Sequence, residues 1–257
     1  MNEKPRKRVI VTGAAGKVAK EILPALRRNY SLVLCDIAHL AESADESIQV
    51  DLTKLDDVVA TFPAADAIVH CAIAGYRTKE DVPETEQERA DYHRRMLEVN
   101  IKGVYNVFEA ARILNIRRVV YLSSLTVLLG DDPAFMMAPD RPPSPVDVYA
   151  CTKLFGENLG RVYHESHNLE VISLRLGQPY PLKLDREPGW ENDPRASRLF
   201  ATLGDIAHAV DAALSAEHVS FGVYNVVSQN EDPIVETTSG VEIGFQPRQR
   251  WQDYRGT

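Results

Sequence analysis

The chain has 257 residues, 44% of them hydrophobic and 26% charged, and a formal net charge of −8. That length can bury the core of one domain, or of one domain with a small lobe. The acidic balance argues against nucleic acid or an acidic membrane as partner, because binding phosphates needs clustered cations, and no apolar run approaches membrane-spanning length. Lys4 to Arg8 reads as a short solvated basic tail, and Gly13 and Gly16 break the apolar run after it too soon for a signal peptide. Three cysteines, at 35, 71 and 151, lack C-x-x-C spacing and suggest buried thiols in a reducing cytoplasm. The seven histidines form no ligand cluster, so no metal is expected.

The first element is a buried strand over 8–13, Arg8-Val-Ile-Val-Thr-Gly13, followed by Gly13-Ala-Ala-Gly16-Lys17-Val18-Ala19 and a helix over 17–28. Strand, glycine turn and helix are the context of a dinucleotide loop, although the G-x-x-G-x-x-A spacing matches the G-x-G-x-x-G fingerprint only in part. Gly13 allows the sharp turn, Gly16 lets a pyrophosphate approach the amides, and a small residue at 19 lets the helix pack closely. The anion would rest on the helix N-terminus, near Lys17 and Val18. Pro24 conflicts with this helix and should kink its third turn. A second strand, 31–36, ends in Asp36, about 20 residues after Gly16, where such folds place a carboxylate for the ribose hydroxyls. No Arg or Lys occurs between Asp36 and Lys54 to receive a 2′-phosphate, which favours NAD over NADP.

A weaker strand near 48–50 and a helix over 54–61 come next, then a strand over 67–72. Residues 76–90 are charged and polar, an exposed loop or the start of a long helix reaching 114. In that helix Val99, Val104, Val107, Phe108, Ala111 and Leu114 form a stripe for the sheet. Asn100 is a poor helix-interior residue, so it is either exposed or held by a specific partner. A strand over 118–123 leads to Ser123-Ser124. Residues 130–145 hold five prolines and no clear period, as in a loop over a site.

Ser144-Pro145-Val146-Asp147 reads as an N-cap, a first-turn proline and a capping box for a helix over 146–167. On it, Tyr149 and Lys153 stand four residues apart and share one face. The ammonium would lower the phenol's pKa from about 10 and make it a proton-transfer group. The same spacing also suits two unrelated surface residues. A strand over 170–176, a proline-marked irregular segment, a helix near 204–216 and a strand over 222–227 complete the alternation. It implies an α/β fold, a doubly wound parallel sheet of Rossmann type.

Taken together, Thr12-Gly13-Ala-Ala-Gly16, Asp36, Asp51-Leu52, His70-Cys71-Ala72, Asn100, Ser123-Ser124, Tyr149-x-x-x-Lys153 and Leu174-Arg175 resemble the extended short-chain dehydrogenase/reductases, of the NAD-dependent epimerase/dehydratase type. The resemblance covers most of the first 177 residues. It implies an NAD-binding region over 1–177 and a small substrate-binding region over 178–257, with 204–227 returning to the sheet. It implies a catalytic set of Ser124, Tyr149 and Lys153, with Ser123 structural. It further implies that Ile37, Asp51 and Leu52 flank the adenine, that Cys71, Ala72 and Ile73 line the cofactor, and that Asn100 helps to place the lysine through water. The family also suggests a homodimer through the long helix reaching 114 and the Tyr149 helix.

Within the family, Tyr149-Ala-Cys-Thr-Lys153-Leu-Phe-Gly-Glu157-Asn158 is similar to the uronate dehydrogenases, which oxidise a free hexuronic acid. The short chain after Arg175 agrees, because relatives acting on nucleotide sugars usually need a larger lobe. Arg195 falls where those enzymes carry the arginine for the substrate carboxylate. Departures occur at substrate positions: Gly75 and Gln178 stand where serines are expected, and Leu125-Thr126 where Asn-His is expected. The expected activity is oxidation of a free sugar or sugar acid by NAD. The alternatives are a nucleotide-sugar epimerase or dehydratase using the same residues, and a regulatory dinucleotide-binding protein with a vestigial site.

Overall fold

The computed structural model describes residues 5–40, 43–75, 83–130, 136–180, 198–230 and 232–254. The apolar runs become strands β1 (Arg8–Thr12), β2 (Ser31–Asp36), β3 (Glu46–Gln49), β4 (Ala67–His70), β5 (Arg118–Ser124), β6 (Glu170–Leu176) and β9 (Phe221–Val226), with a short β7 (Gln178–Tyr180) and β8 (Phe200–Thr202) between the last two. Seven strands form one sheet in the order β3-β2-β1-β4-β5-β6-β9, every pairing parallel. A parallel sheet covered on both faces needs strands that are apolar throughout, and β4 and β5 are buried along their whole lengths.

Alternate residues serve opposite faces. On β1, Val9 and Val11 join a core with Ile22 and Leu26 of α1 (Lys17–Leu26) and Ile206 and Val210 of α6 (Leu203–Ser215). Ile10 points the other way, into a second core. That core receives Val58 of α2 (Leu55–Thr61), Val107 and Phe108 of α4 (Val104–Ile113) and Tyr163 of α5 (Val148–His167). Gly156 lets α5 lie against the sheet, since any Cβ there would run into the Tyr121 ring. Strand order reverses between β1 and β4, so the crevice outside their carboxyl ends is where such folds bind ligands.

Three expectations are corrected. The helix expected over 86–114 is interrupted: α3 (Glu86–Leu97) and α4 are joined by a π-helical turn, Glu98–Gly103, with Asn100 buried in it. Asp147, not Ser144, caps α5 by accepting from the Ala150 N–H at 2.7 Å. Ser144 is committed elsewhere: its N–H donates to Val127 and its carbonyl accepts from Gly130, both at 2.8 Å. Finally, β7 and β8 pair in a separate two-stranded sheet that no sequence run indicated. Pro24 lies inside α1, which ends two residues later at Leu26.

Candidate functional site

The turn after β1 is shaped by one backbone requirement. Gly13 has φ 68°, and a Cβ there would lie 2.5 Å from the Ala72 Cα. A side chain is therefore excluded both by conformation and by the segment after β4. Gly16 turns back so that its N–H donates to the Gly13 carbonyl at 2.9 Å, and α1 begins at once. No side chain caps α1, and its first turn carries no acidic residue. Its positive end is thus shaped for an anion, as a pyrophosphate requires. Asp36, at the end of β2, accepts from the Ala15 N–H and the Ala38 N–H, each at 2.9 Å. One carboxylate oxygen thus bonds the glycine loop itself, and the group keeps lone pairs for further donors. Ile37 beside it is 64% exposed. Leu52 is buried and its carbonyl accepts from Asn106, while Asp51 accepts from the Thr53 N–H and hydroxyl. These residues fit a dinucleotide: a cradle only glycine permits, an uncapped helix end and a strand-end carboxylate.

The segment after β4 continues the same crevice. The Cys71 N–H donates to the Thr12 carbonyl, and burial pushes the Cys71 thiol up to about 12. Asn100 spans Ala74 with both ends of its amide, accepting at 2.8 Å and donating at 3.1 Å. It also donates to the Thr152 hydroxyl at 3.3 Å, next to Lys153. The specific partner expected for Asn100 is therefore this strap, and the π turn is what aims it. Among the described residues, a Cβ at Gly75 would meet only the Ile73 side chain, at 3.7 Å, an ordinary contact distance.

Ser124, Tyr149 and Lys153 meet at the carboxyl end of β5. Lys153 is 5% exposed, its Nζ donates to the Leu122 carbonyl at 2.7 Å, and it lies 5.7 Å from the centre of the Tyr149 ring. Burial depresses its pKa to about 8. Tyr149, on the first turn of α5, has the Ser124 hydroxyl near enough to lower its pKa. Its phenol is nonetheless pushed up to about 12, by burial first and by Asp147 as well, against the help of Ser124. This corrects the expectation of a lowered value. Lys153 is held by the Leu122 carbonyl with its Nζ 5.7 Å from the centre of the Tyr149 ring, and desolvation penalises the phenolate more than the distant ammonium favours it.

Beneath this set lies a buried polar layer that sequence reasoning missed. Glu157, one turn beyond Lys153, accepts from the Ser123 hydroxyl at 2.5 Å and from two nitrogens of Arg175, at 2.9 and 2.8 Å. Arg175 also donates to the Pro139 carbonyl, tying down the proline-rich loop. His70 shares a hydrogen bond with Thr12 at 2.8 Å and stacks on Tyr121. The four-residue step from Lys153 to Glu157 was a readable signal; Arg175 as its partner was not.

The substrate positions fare unevenly. Leu125 does not present its side chain to a substrate: it is 3% exposed and packs with Val127, Leu128, Met137, Val227 and Val235 in a third apolar cluster. A leucine at a site edge is worth more inside such a cluster than in water, which is the reason for this correction. Gln178 opens β7, its N–H donating to the Leu199 carbonyl at 2.7 Å. Arg195 lies outside the described residues.

Comparison with known proteins places this crevice in context. Residues 9–189 match the NAD dependent epimerase/dehydratase family. The chain is 30% identical to L-arabinose 1-dehydrogenase (NAD(P)(+)) of Haloferax volcanii, over 94% of this chain and 96% of that protein. It is 26% identical to uronate dehydrogenase of Pseudomonas syringae pv. tomato, over 98% of this chain and 85% of the relative. Among solved structures, a tyrosine-to-alanine mutant of uronate dehydrogenase from Agrobacterium tumefaciens complexed with NAD is 27% identical. It superposes with a TM-score of 0.81, covering 97% of this chain and 88% of the other.

Proposed function

The chain belongs to the NAD dependent epimerase/dehydratase family, and from that premise we propose that it is an NAD-dependent oxidoreductase that oxidises a free sugar or sugar acid. The observation that carries the reading is the meeting of Ser124, Tyr149 and Lys153 beside the Gly13–Gly16 cradle at the carboxyl edge of one sheet. NAD, when bound, supplies the hydride acceptor. The protein supplies position and proton transfer. Tyr149 takes the proton of the substrate hydroxyl as hydride leaves the same carbon, and Ser124 donates to the reacting oxygen. Lys153 is the protein's share of the positive charge that the phenolate needs, and it would hold the nicotinamide ribose. Gly13, Gly16, Lys17 and Val18 would hold the pyrophosphate. Asp36 would hold the adenosine ribose, and Ile37, Asp51 and Leu52 would flank the adenine.

The relatives named for uronate and L-arabinose put the substrate among small unmodified sugars and their acids. An acid would be clamped by Arg195 through two parallel hydrogen bonds. Loss of two hydroxyls, at Gly75 and Gln178, leaves room for an acid other than a hexuronate. The working unit we infer is a homodimer. Val148, Phe155 and Val162 recur every seven residues along α5, with Val148 37% and Val162 52% exposed, and Tyr105 and Ile113 are exposed on the neighbouring α4. A stripe at that spacing suits helix packing between copies. We also place the enzyme in the cytoplasm: Cys35, Cys71 and Cys151 are all unpaired, although Cys151 is exposed and not buried as expected, and no described helix is long and apolar enough to cross a membrane.

The test is direct. Purified protein with NAD is screened against free hexuronates, aldoses and UDP-sugars for the appearance of NADH, with Tyr149→Phe as the control. Turnover on a free sugar or sugar acid, cut about 10²–10⁴-fold in Tyr149→Phe, is the expected result. Activity only on UDP-sugars, without net NADH, would replace this reading with epimerisation or dehydration.

A further inference from the structure

Ser124 ends β5 and begins a tight 3-10 turn, Leu125–Leu128. Its hydroxyl oxygen accepts twice from one residue: from the Thr126 N–H at 3.2 Å and from the Thr126 hydroxyl at 3.0 Å. A serine hydroxyl has one hydrogen to give and two lone pairs to receive with. With the Thr126 hydroxyl as donor of the second bond, Thr126 fills both lone pairs. The single hydrogen of Ser124 then points away from the turn, toward the side where Tyr149, on the first turn of α5, is near enough for Ser124 to lower the phenol's pKa.

We propose that Thr126 is a positioning residue that holds Ser124 as an obligate hydrogen-bond donor, so that proton acceptance in the reaction falls to Tyr149 alone. The inference rests on the proposed oxidation, in which Ser124 and Tyr149 face one reacting oxygen. A serine with a vacant lone pair could accept the proton of the substrate hydroxyl, a dead-end pairing that turns its own hydrogen away from the phenolate. With Thr126 in place, the substrate hydroxyl has one acceptor, the Tyr149 oxygen. The proton moves from substrate oxygen to phenolate, the hydride leaves the same carbon for NAD, and Ser124 donates to the oxygen that becomes the carbonyl. No proton passes through Ser124.

The turn is built to keep this arrangement. Leu125, Val127 and Leu128 are buried in the third apolar cluster, so three of its four residues are anchored and Thr126 is carried on a rigid support. A simple turn cap would need only the backbone N–H. The second donor, the threonine hydroxyl, adds nothing to the cap and, among the described residues, bonds Ser124. The charges around the phenol are few: Asp147 at the start of α5 opposes the phenolate, Lys153 one turn along favours it, and the Tyr121 phenol on β5 faces it. Among the described residues, Ser124 is the neutral donor given to the phenol there, so its orientation is directly readable in the Tyr149 titration.

The experiment compares wild type with Thr126→Val, Thr126→Ser and Tyr149→Phe. Valine keeps the branched shape and the backbone donor but loses the hydroxyl, and serine restores the hydroxyl without the methyl. Steady-state kinetics across pH, NAD binding by fluorescence and ultraviolet difference titration of the cofactor-free protein are measured. Thr126→Val is expected to lower kcat about tenfold, with KM and NAD affinity within about twofold. The Tyr149 titration and the rise of kcat with pH should both move to higher pH, and Thr126→Ser should restore them. Unchanged kcat and titration in Thr126→Val overturn the proposal, as does a Thr126→Ser as impaired as the valine variant. If Tyr149→Phe itself keeps wild-type turnover, the catalytic reading falls first and this inference with it.

Discussion

His70 shows what a buried layer under a site costs a protein in acid. Burial and the Lys153 charge depress its pKa to about 3. Unfolded, the same imidazole takes its proton as pH falls through about 6.5. Between those values the unfolded state binds more protons, so stability is lost as the pH falls through that window. Urea midpoints at pH 7 and pH 5, above the range where carboxylates dominate, should show a decline that is smaller in His70→Gln. An equal decline in both proteins would assign the effect to another group. Asp36 carries a second residue-scale prediction. NAD should bind more tightly than NADP, because a carboxylate repels the 2′-phosphate, and Asp36→Ala should narrow the gap. The variant should also weaken NAD itself, since Asp36 fastens the glycine loop through the Ala15 N–H. Titration of both dinucleotides into both proteins decides it, and equal affinities in wild type would mean that Asp36 does not meet the ribose.

At the scale of elements, the π turn Glu98–Gly103 and helix α5 do most of the positioning. The π turn rotates Asn100 inward, and one amide then straps Ala74 to Thr152. A helix of uniform pitch would present that position differently, which is the kind of work for which such bulges recur at functional sites. Helix α5 carries Tyr149, Lys153 and Glu157 on its inner face and the Val148, Phe155, Val162 stripe on its outer side. The proposed chemistry and the proposed dimer thus use different faces, and mutation can separate them. Val162→Glu should leave the fold and NAD binding intact and shift the sedimentation of the protein from dimer to monomer. A wild-type protein that sediments as a monomer would refute the dimer outright.

For the molecule as a whole, the parallel sheet and the short β7 beside it deliver Gly13, Asp36, Cys71, Ser124 and Gln178 to a single edge from five different strands. The described chain beyond β6 is tied together by its own hydrogen bonds. Asp205, at the start of α6, accepts from the Ser228 hydroxyl at 2.6 Å and from the Arg248 and Gln249 N–H groups, at 2.9 and 3.2 Å, so the C-terminal segment is fastened to this region. If the substrate is an acid, Arg195→Lys should raise KM sharply for acidic substrates and little for neutral ones, because an ammonium cannot reproduce a bidentate clamp. Activity confined to neutral sugars, with Arg195→Lys silent, would move the substrate class and leave the Tyr149 chemistry in place.

Strand positions, glycine turn, acidic strand end and the Tyr149–Lys153 pair were all legible in the sequence because each is a local pattern. Buried parallel strands announce themselves as β-branched runs, a left-handed turn demands glycine, and a four-residue step is one helical face. The tertiary structure alone decided the rest. That Lys153 would bond Leu122 rather than the phenol, that Arg175 would find Glu157 and Pro139, and that Leu125 would turn into an apolar cluster all depend on residues far apart in the chain. The Tyr149 pKa belongs to this second group. Spacing sets which charges stand near the phenol, but its sign follows from how much water the fold removes, and no local pattern encodes that.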